Sequence, residues 1–112
     1  MDRITKYKKI LRQLFEKQAA MMKPIHKETV IQLVIDEEHG HYLLYHNTWR
    51  NSRRNYGCVL HISIRNNKIY IEHDGGDRGF ALDLLEAGIP KSDIVLAFHS
   101  PEKRPYTEFA VA

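Results

Sequence analysis

The chain has 112 residues, 43% of them apolar and 28% charged, with a formal net charge of +3. That is room for one domain and one core, residues 1–112, and it excludes a disordered tail. The single cysteine, Cys58, excludes an internal disulfide. It points to a reducing compartment.

No apolar run reaches the ~18 residues of a membrane span, and no unbroken apolar stretch follows the basic N-terminus as it would in a secretory signal. A cytoplasmic protein without membrane contact is expected. Charge is unevenly placed: residues 1–28 carry eight basic side chains against three acidic ones. Such asymmetry suits a nucleic acid, an acidic partner or the solvated face of an amphipathic helix.

Ile4, Tyr7, Leu11, Leu14, Phe15, Gln18 and Met22 recur at the three-and-four spacing of one helical face. Asp2 is placed to cap this helix and Pro24 to stop it. Residues 29–36 are rich in β-branched side chains and predict a strand. Glu37-Glu38-His39-Gly40 predicts a turn, and 41–48 a second strand. Trp49 to Tyr56 is polar and basic and reads as a loop or irregular hairpin.

From Cys58, apolar and polar residues alternate to Ile64. Asn66-Asn67 suits the left-handed positions of a two-residue hairpin. That register sets Arg65 against Lys68, Ile64 against Ile69, Ile62 against Ile71, Leu60 against His73 and His61 against Glu72. Asp74-Gly75-Gly76-Asp77 breaks the strand. A short helix over 79–87 should bury Phe80, Leu84 and Ala87 and end on Gly88, Ile89 and Pro90. Ile94 to Phe98 is a continuous apolar run, expected to be a central strand. The fold class is α+β: an N-terminal helix, a mainly antiparallel sheet, and a second short helix before the last strand.

The residues offer little chemistry. Seven histidines are scattered, His39-Gly40-His41 lies in a turn, and no zinc-type ligand set is spaced along the chain, so no metal or other cofactor is expected. Alternation sets Cys58 beside Leu60 and Ile62, which predicts a buried, inert thiol. No serine stands in a nucleophile-elbow context. Glu72-His73-Asp74 lacks the following lysine of a restriction-type nuclease site. A non-catalytic protein is expected.

Several segments carry a family resemblance. Cys58 to Ile64, Lys68 to Gly75, Glu86-Ala-Gly-Ile-Pro90 with Asp93-Ile-Val-Leu-Ala-Phe-His99, the Trp49…Arg53-Arg54…Gly57 spacing and the terminal Phe109-Ala-Val-Ala112 resemble the XisI family, the fdxN-element excision controlling factors. The resemblance spans essentially the whole chain. It implies a role beside a site-specific recombinase that removes a DNA element in differentiating cells of filamentous cyanobacteria, with an XisH-like protein as the usual companion. The chain departs from the family at Tyr70 (often Trp), at Ser100-Pro101-Glu102 (often Pro-Pro-Glu) and at Glu108 (often Gly).

Three groups of candidate site residues follow. Trp49, Arg53, Arg54 and Tyr106 are the residue types that dominate protein interfaces and are expected to meet an XisH-like partner. His73, Asp74, Asp77, His99, Glu102 and Arg104 flank two strand ends and could converge on one polar surface, or form an ordinary network of caps and salt bridges. Lys8, Lys9 and Arg12 are candidate nucleic-acid contacts. Direct DNA binding, through the basic helix or the Arg50/Arg53/Arg54 segment, is the alternative function, expected to be weak or indirect. Self-association is left open.

Overall fold

A computed structural model describes residues 2–22, 29–75 and 79–112. The first helix, α1, spans Arg3–Met22 and buries Tyr7, Leu11, Phe15 and Ala19, one residue per turn along one stripe. Asp2 caps it: the Thr5 amide donates to Asp2 Oδ1 at 2.8 Å and the Thr5 hydroxyl to Oδ2 at 3.1 Å. Those two bonds hold the Asp2 carboxyl below its ordinary range. The expected stop at Pro24 lies outside the described residues.

Five strands follow: β1 Thr29–Asp36, β2 His41–Arg50, β3 Arg53–Arg65, β4 Lys68–Asp74 and β5 Ile94–Leu96, adjacent in the sheet in that order. The first four form an antiparallel meander, and β5 pairs parallel to β4. The second helix, α2, spans Phe80–Glu86. Both helices pack on one face of the sheet, where Leu11, Phe15, Tyr42, Leu44, Ile62, Ile71, Phe80 and Leu84 form one buried cluster. Phe15 is its hub, with its ring centroid 5.8 Å from Tyr42 and 5.3 Å, edge-on, from Phe80. Among the described residues, no helix is long and apolar enough to cross a membrane.

The Asn66-Asn67 hairpin forms as expected, both residues having positive φ (53° and 59°), and Arg65, Ile64 and Ile62 meet Lys68, Ile69 and Ile71. Beyond Ile62 a bulge shifts the register, so His61 faces His73 and Leu60 faces Asp74. The expected His61–Glu72 pair does not form. Glu72 instead accepts from the Ser63 hydroxyl and from Arg65, both at 3.3 Å.

Of the two forms expected for Trp49 to Tyr56, a loop or an irregular hairpin, the structure has a hairpin, and a regular one. β2 and β3 continue through it and are joined by a two-residue turn, Asn51-Ser52, with φ of 52° and 66°. Its polarity reflects a ribbon projecting into solvent, which needs no apolar face.

α2 ends as predicted, in a Schellman motif: Ile89 N–H donates to the Leu84 carbonyl and Gly88 N–H, at φ 95°, to that of Leu85. Ala87, expected on the buried face, is exposed as the cap residue. The last strand is also corrected. β5 has three residues and lies at the sheet edge, while Ala97 and Phe98 turn away, with Phe98 about half exposed. Its apolarity reflects cover rather than a central position. Val95 is bridged by Ala110 of the C-terminal segment, and the strand is entered from Asp93, a buried acid that accepts a hydrogen bond from the Tyr7 hydroxyl of α1.

Candidate functional site

The face of the sheet turned away from the helices is uncovered over β1–β3 among the described residues. Alternation puts Leu44 and Leu60 in the core and Tyr45, Asn47 and Trp49 on the outer face, where their partners across β3 are Cys58, Tyr56 and Arg54. β1 adds Val30, opposite Asn47, and Val34, opposite Leu43. Val30, Val34, Trp49 and Tyr56 are each about half exposed. Arg54 organises the centre of this patch. Its guanidinium lies 4.6 Å from the Tyr56 ring centroid and 6.0 Å from that of Trp49, and its Nε donates to Asn47 Oδ1 at 2.9 Å. Tyr45 extends the aromatic row, 5.6 Å from Tyr56.

Of the residues expected at a partner interface, the structure therefore brings together Trp49 and Arg54. Arg53 pairs with Arg50 and belongs to the opposite face of the hairpin. Tyr106, almost fully exposed, sits in a 3-10 turn (Arg104–Tyr106) beyond β5. Sequence reasoning missed Tyr45, Asn47, Tyr56, Val30 and Val34. A signal for the valines was present: Val30, Ile31, Leu33, Val34 and Ile35 are apolar at both parities, more than one buried face requires.

Of the six polar residues expected near strand ends, Asp74 and Arg104 have distinct structural tasks. Asp74 Oδ2 accepts the Phe80 amide at 2.6 Å, anchoring the start of α2. Arg104 clamps the C-terminal segment, its Nε donating to the His99 carbonyl at 3.1 Å and its terminal nitrogens to the carbonyls of Ala97 and Val111 at 3.4 Å. The His99 ring lies against Phe98, His73 lies opposite His61, and Glu102 is exposed. Asp77 lies outside the described residues.

The helix cations are only partly available. Arg12 is ion-paired with Glu37 of the β1–β2 turn and with Glu16, which raises its pKa, while Lys9 is exposed and Lys8 half-buried. Among the described residues, no three His, Cys, Asp or Glu come together as a metal-holding group.

Cys58 is half-buried rather than enclosed. A bulge between its pairing with Tyr45 and the Leu44–Leu60 pair breaks the alternation that would set it beside Leu60. Burial raises its thiol pKa, away from the reactive thiolate. His61 is half-buried with its Nε2 3.4 Å from His41 Nδ1. Burial first, then the charges of His41 and His73, lower its pKa against a partial offset from Glu72.

Two of the three departures from the family pattern, Tyr70 and Glu108, have local accommodations. The Tyr70 hydroxyl accepts from Asn66 Nδ2 at 3.1 Å, and Arg65 stacks on the ring at 4.0 Å. Glu108 does not adopt a positive φ, so the freedom of a glycine is not needed there. It forms an ion pair with Lys91, which lowers its pKa.

No curated protein matches the chain. Among solved structures, a XisI-like protein from Anabaena variabilis is 33% identical, with a TM-score of 0.91 over 97% of this chain and 99% of its own. The fdxN element excision controlling factor XisI from Anabaena variabilis is 34% identical, with a TM-score of 0.87 over 99% of this chain and 100% of its own. The family model for XisI protein matches residues 1–111, and by that match and these near-full-length likenesses the chain belongs to the XisI family.

Proposed function

We propose that this protein is a non-catalytic accessory factor in programmed excision of an fdxN-type DNA element, acting through a stable complex with an XisH-like companion. The observation that carries this reading is the outer face of β1–β3, where an Arg–aromatic stack is flanked by half-exposed valines on a rigid sheet. Trp, Tyr and Arg dominate binding energy because each combines apolar area with directed hydrogen bonds. A solved relative named as an excision controlling factor supports the biological setting.

The test is co-expression with an XisH-like protein followed by size-exclusion chromatography and a measured Kd. The variant Trp49→Ala/Arg54→Ala should weaken the complex at least ~30-fold, the effect of one hot spot of about 2 kcal/mol, while circular dichroism stays unchanged. Separate elution of the two wild-type proteins at micromolar concentration would remove the proposal.

A further inference from the structure

The other side of the β2–β3 arm carries charge that no carboxylate among the described residues opposes. From His39 to Ile71 the sequence contains no acidic residue, yet Arg50, Arg53 and Arg54 cluster at the hairpin tip. Arg50 and Arg53 face each other directly across the two-residue turn. Like charges in that position work against the hairpin, and neither arginine is ion-paired among the described residues. A fold that keeps such a pair on an exposed turn gains nothing from it in stability.

The pair stands at the rim of a concave cleft of about 930 Å3. Its floor includes Met22, at the end of α1, and Ile31 of β1, and its walls carry His46, Asn51 and Asn55. None of the described residues lining it is a carboxylate. Among the described residues the tip is also a two-stranded ribbon. β1 pairs with β2 only as far as Thr48, and β4 with β3 only as far as Leu60.

We propose that this cleft and its arginine rim bind the phosphodiester backbone of duplex DNA, without reading bases. Guanidinium forks match phosphate oxygens, and the amides of Asn51 and Asn55 add neutral donors. Side chains directly opposite across two strands start only about 5 Å apart, so Arg50 and Arg53 reach neighbouring phosphates together. A two-stranded ribbon also has the width that a major groove admits. Arg50 and Arg53 lie on the hairpin face opposite Trp49 and Tyr56, while Arg54 borders both the cleft and the aromatic patch.

The experiment is fluorescence anisotropy of a short mixed-sequence DNA duplex against the full chain over a salt series. In Arg50→Ala/Arg53→Ala the log–log salt slope should shrink by about 1.8, two contacts at about 0.9 each, and affinity at low salt should fall at least ~10-fold. The melting midpoint should stay level or rise, since a like-charge pair is removed. Lys8→Ala/Lys9→Ala on α1 should leave the slope within error, and Trp49→Ala/Arg54→Ala should retain the wild-type response to Arg50→Ala/Arg53→Ala. An unchanged slope in Arg50→Ala/Arg53→Ala would overturn the proposal. So would an equal loss in the helix variant, which would mean net charge alone. Displacement of the duplex by polyglutamate as effective as by unlabelled DNA would assign the cleft to an acidic protein segment instead.

Discussion

Removing the Tyr7 hydroxyl tests how α1 is fastened to the far edge of the sheet. Tyr7 is 4% exposed and Asp93 8% exposed, and the phenol donates to Asp93 Oδ2. A hydrogen bond to a charged acceptor contributes about 1.5–3 kcal/mol. In Tyr7→Phe the one ion-pair partner the carboxylate keeps among the described residues is Arg3, at 3.5 Å and about half exposed, whose compensation is worth less than about 1 kcal/mol. The expected cost is about 2 kcal/mol, a fall in Tm of about 8 °C for a chain of this length. Asp93→Asn retains an acceptor and should cost about half as much. In the double variant the costs should fall short of additivity by at least about 1 kcal/mol.

Burial, then the bond to Asp93, pushes the Tyr7 pKa up to about 12 from an ordinary 10.0. The unfolded chain therefore releases this proton first, and the stability held below pH 10 is lost as pH rises through 12. Denaturant melts at neutral and alkaline pH measure both effects. A Tm change under about 2 °C in Tyr7→Phe, with the alkaline decline unaltered, would refute the reasoning.

Two further outcomes are expected. Gly40 has φ 72°, and a Cβ there would stand 2.9 Å from the Ile64 carbonyl oxygen, which belongs to backbone that cannot swing aside. Gly40→Ala should cost about 1–3 kcal/mol in urea unfolding, and a neutral result would show that the β1–β2 turn adapts freely. On the acid side, the depressed pKa of His61 means that the unfolded state takes up its proton first, so stability present above pH 6.5 declines as pH falls through the folded value. His61→Gln should flatten that decline in thermal melts between neutral and mildly acidic pH.

The parts of the fold readable from sequence were those set by local chemistry. The Asp2 cap, the stripe of α1, the Asn66-Asn67 turn and the Gly88 ending of α2 each depend on a few adjacent residues. Asn51-Ser52 adopts the same backbone as Asn66-Asn67, but serine is a weaker indicator of positive φ and the flanking residues are polar, so the strand continuation was hidden. The two register shifts were not legible either. Each adds a residue opposite one partner without changing the pattern of residue types; together they moved Cys58 and His73 from the faces that simple alternation assigns and gave His61 a different partner. β5 reads as central because burial by a tail and burial by neighbouring strands leave the same apolar run. At the candidate site, Trp49 and Arg54 could be named from residue type, but their separation from Arg53 onto the opposite face required the strand geometry.

The Tyr7–Asp93 contact joins residues 86 positions apart, whereas the four-stranded meander is assembled from neighbours in sequence. Folding therefore has two very different closure distances. The hairpins close short loops, while bringing Tyr7 of α1 to Asp93, just ahead of β5, closes a loop of 86 positions, and β5 adds a parallel pairing to β4, a kind of contact that is slow to form. During synthesis α1 emerges well before Asp93. Until Asp93 has left the ribosome, the Tyr7 hydroxyl has no buried acceptor and the edge beyond β4 stands open, so the order of translation leaves the molecule's own C-terminal third to seal the edge that its first two-thirds expose.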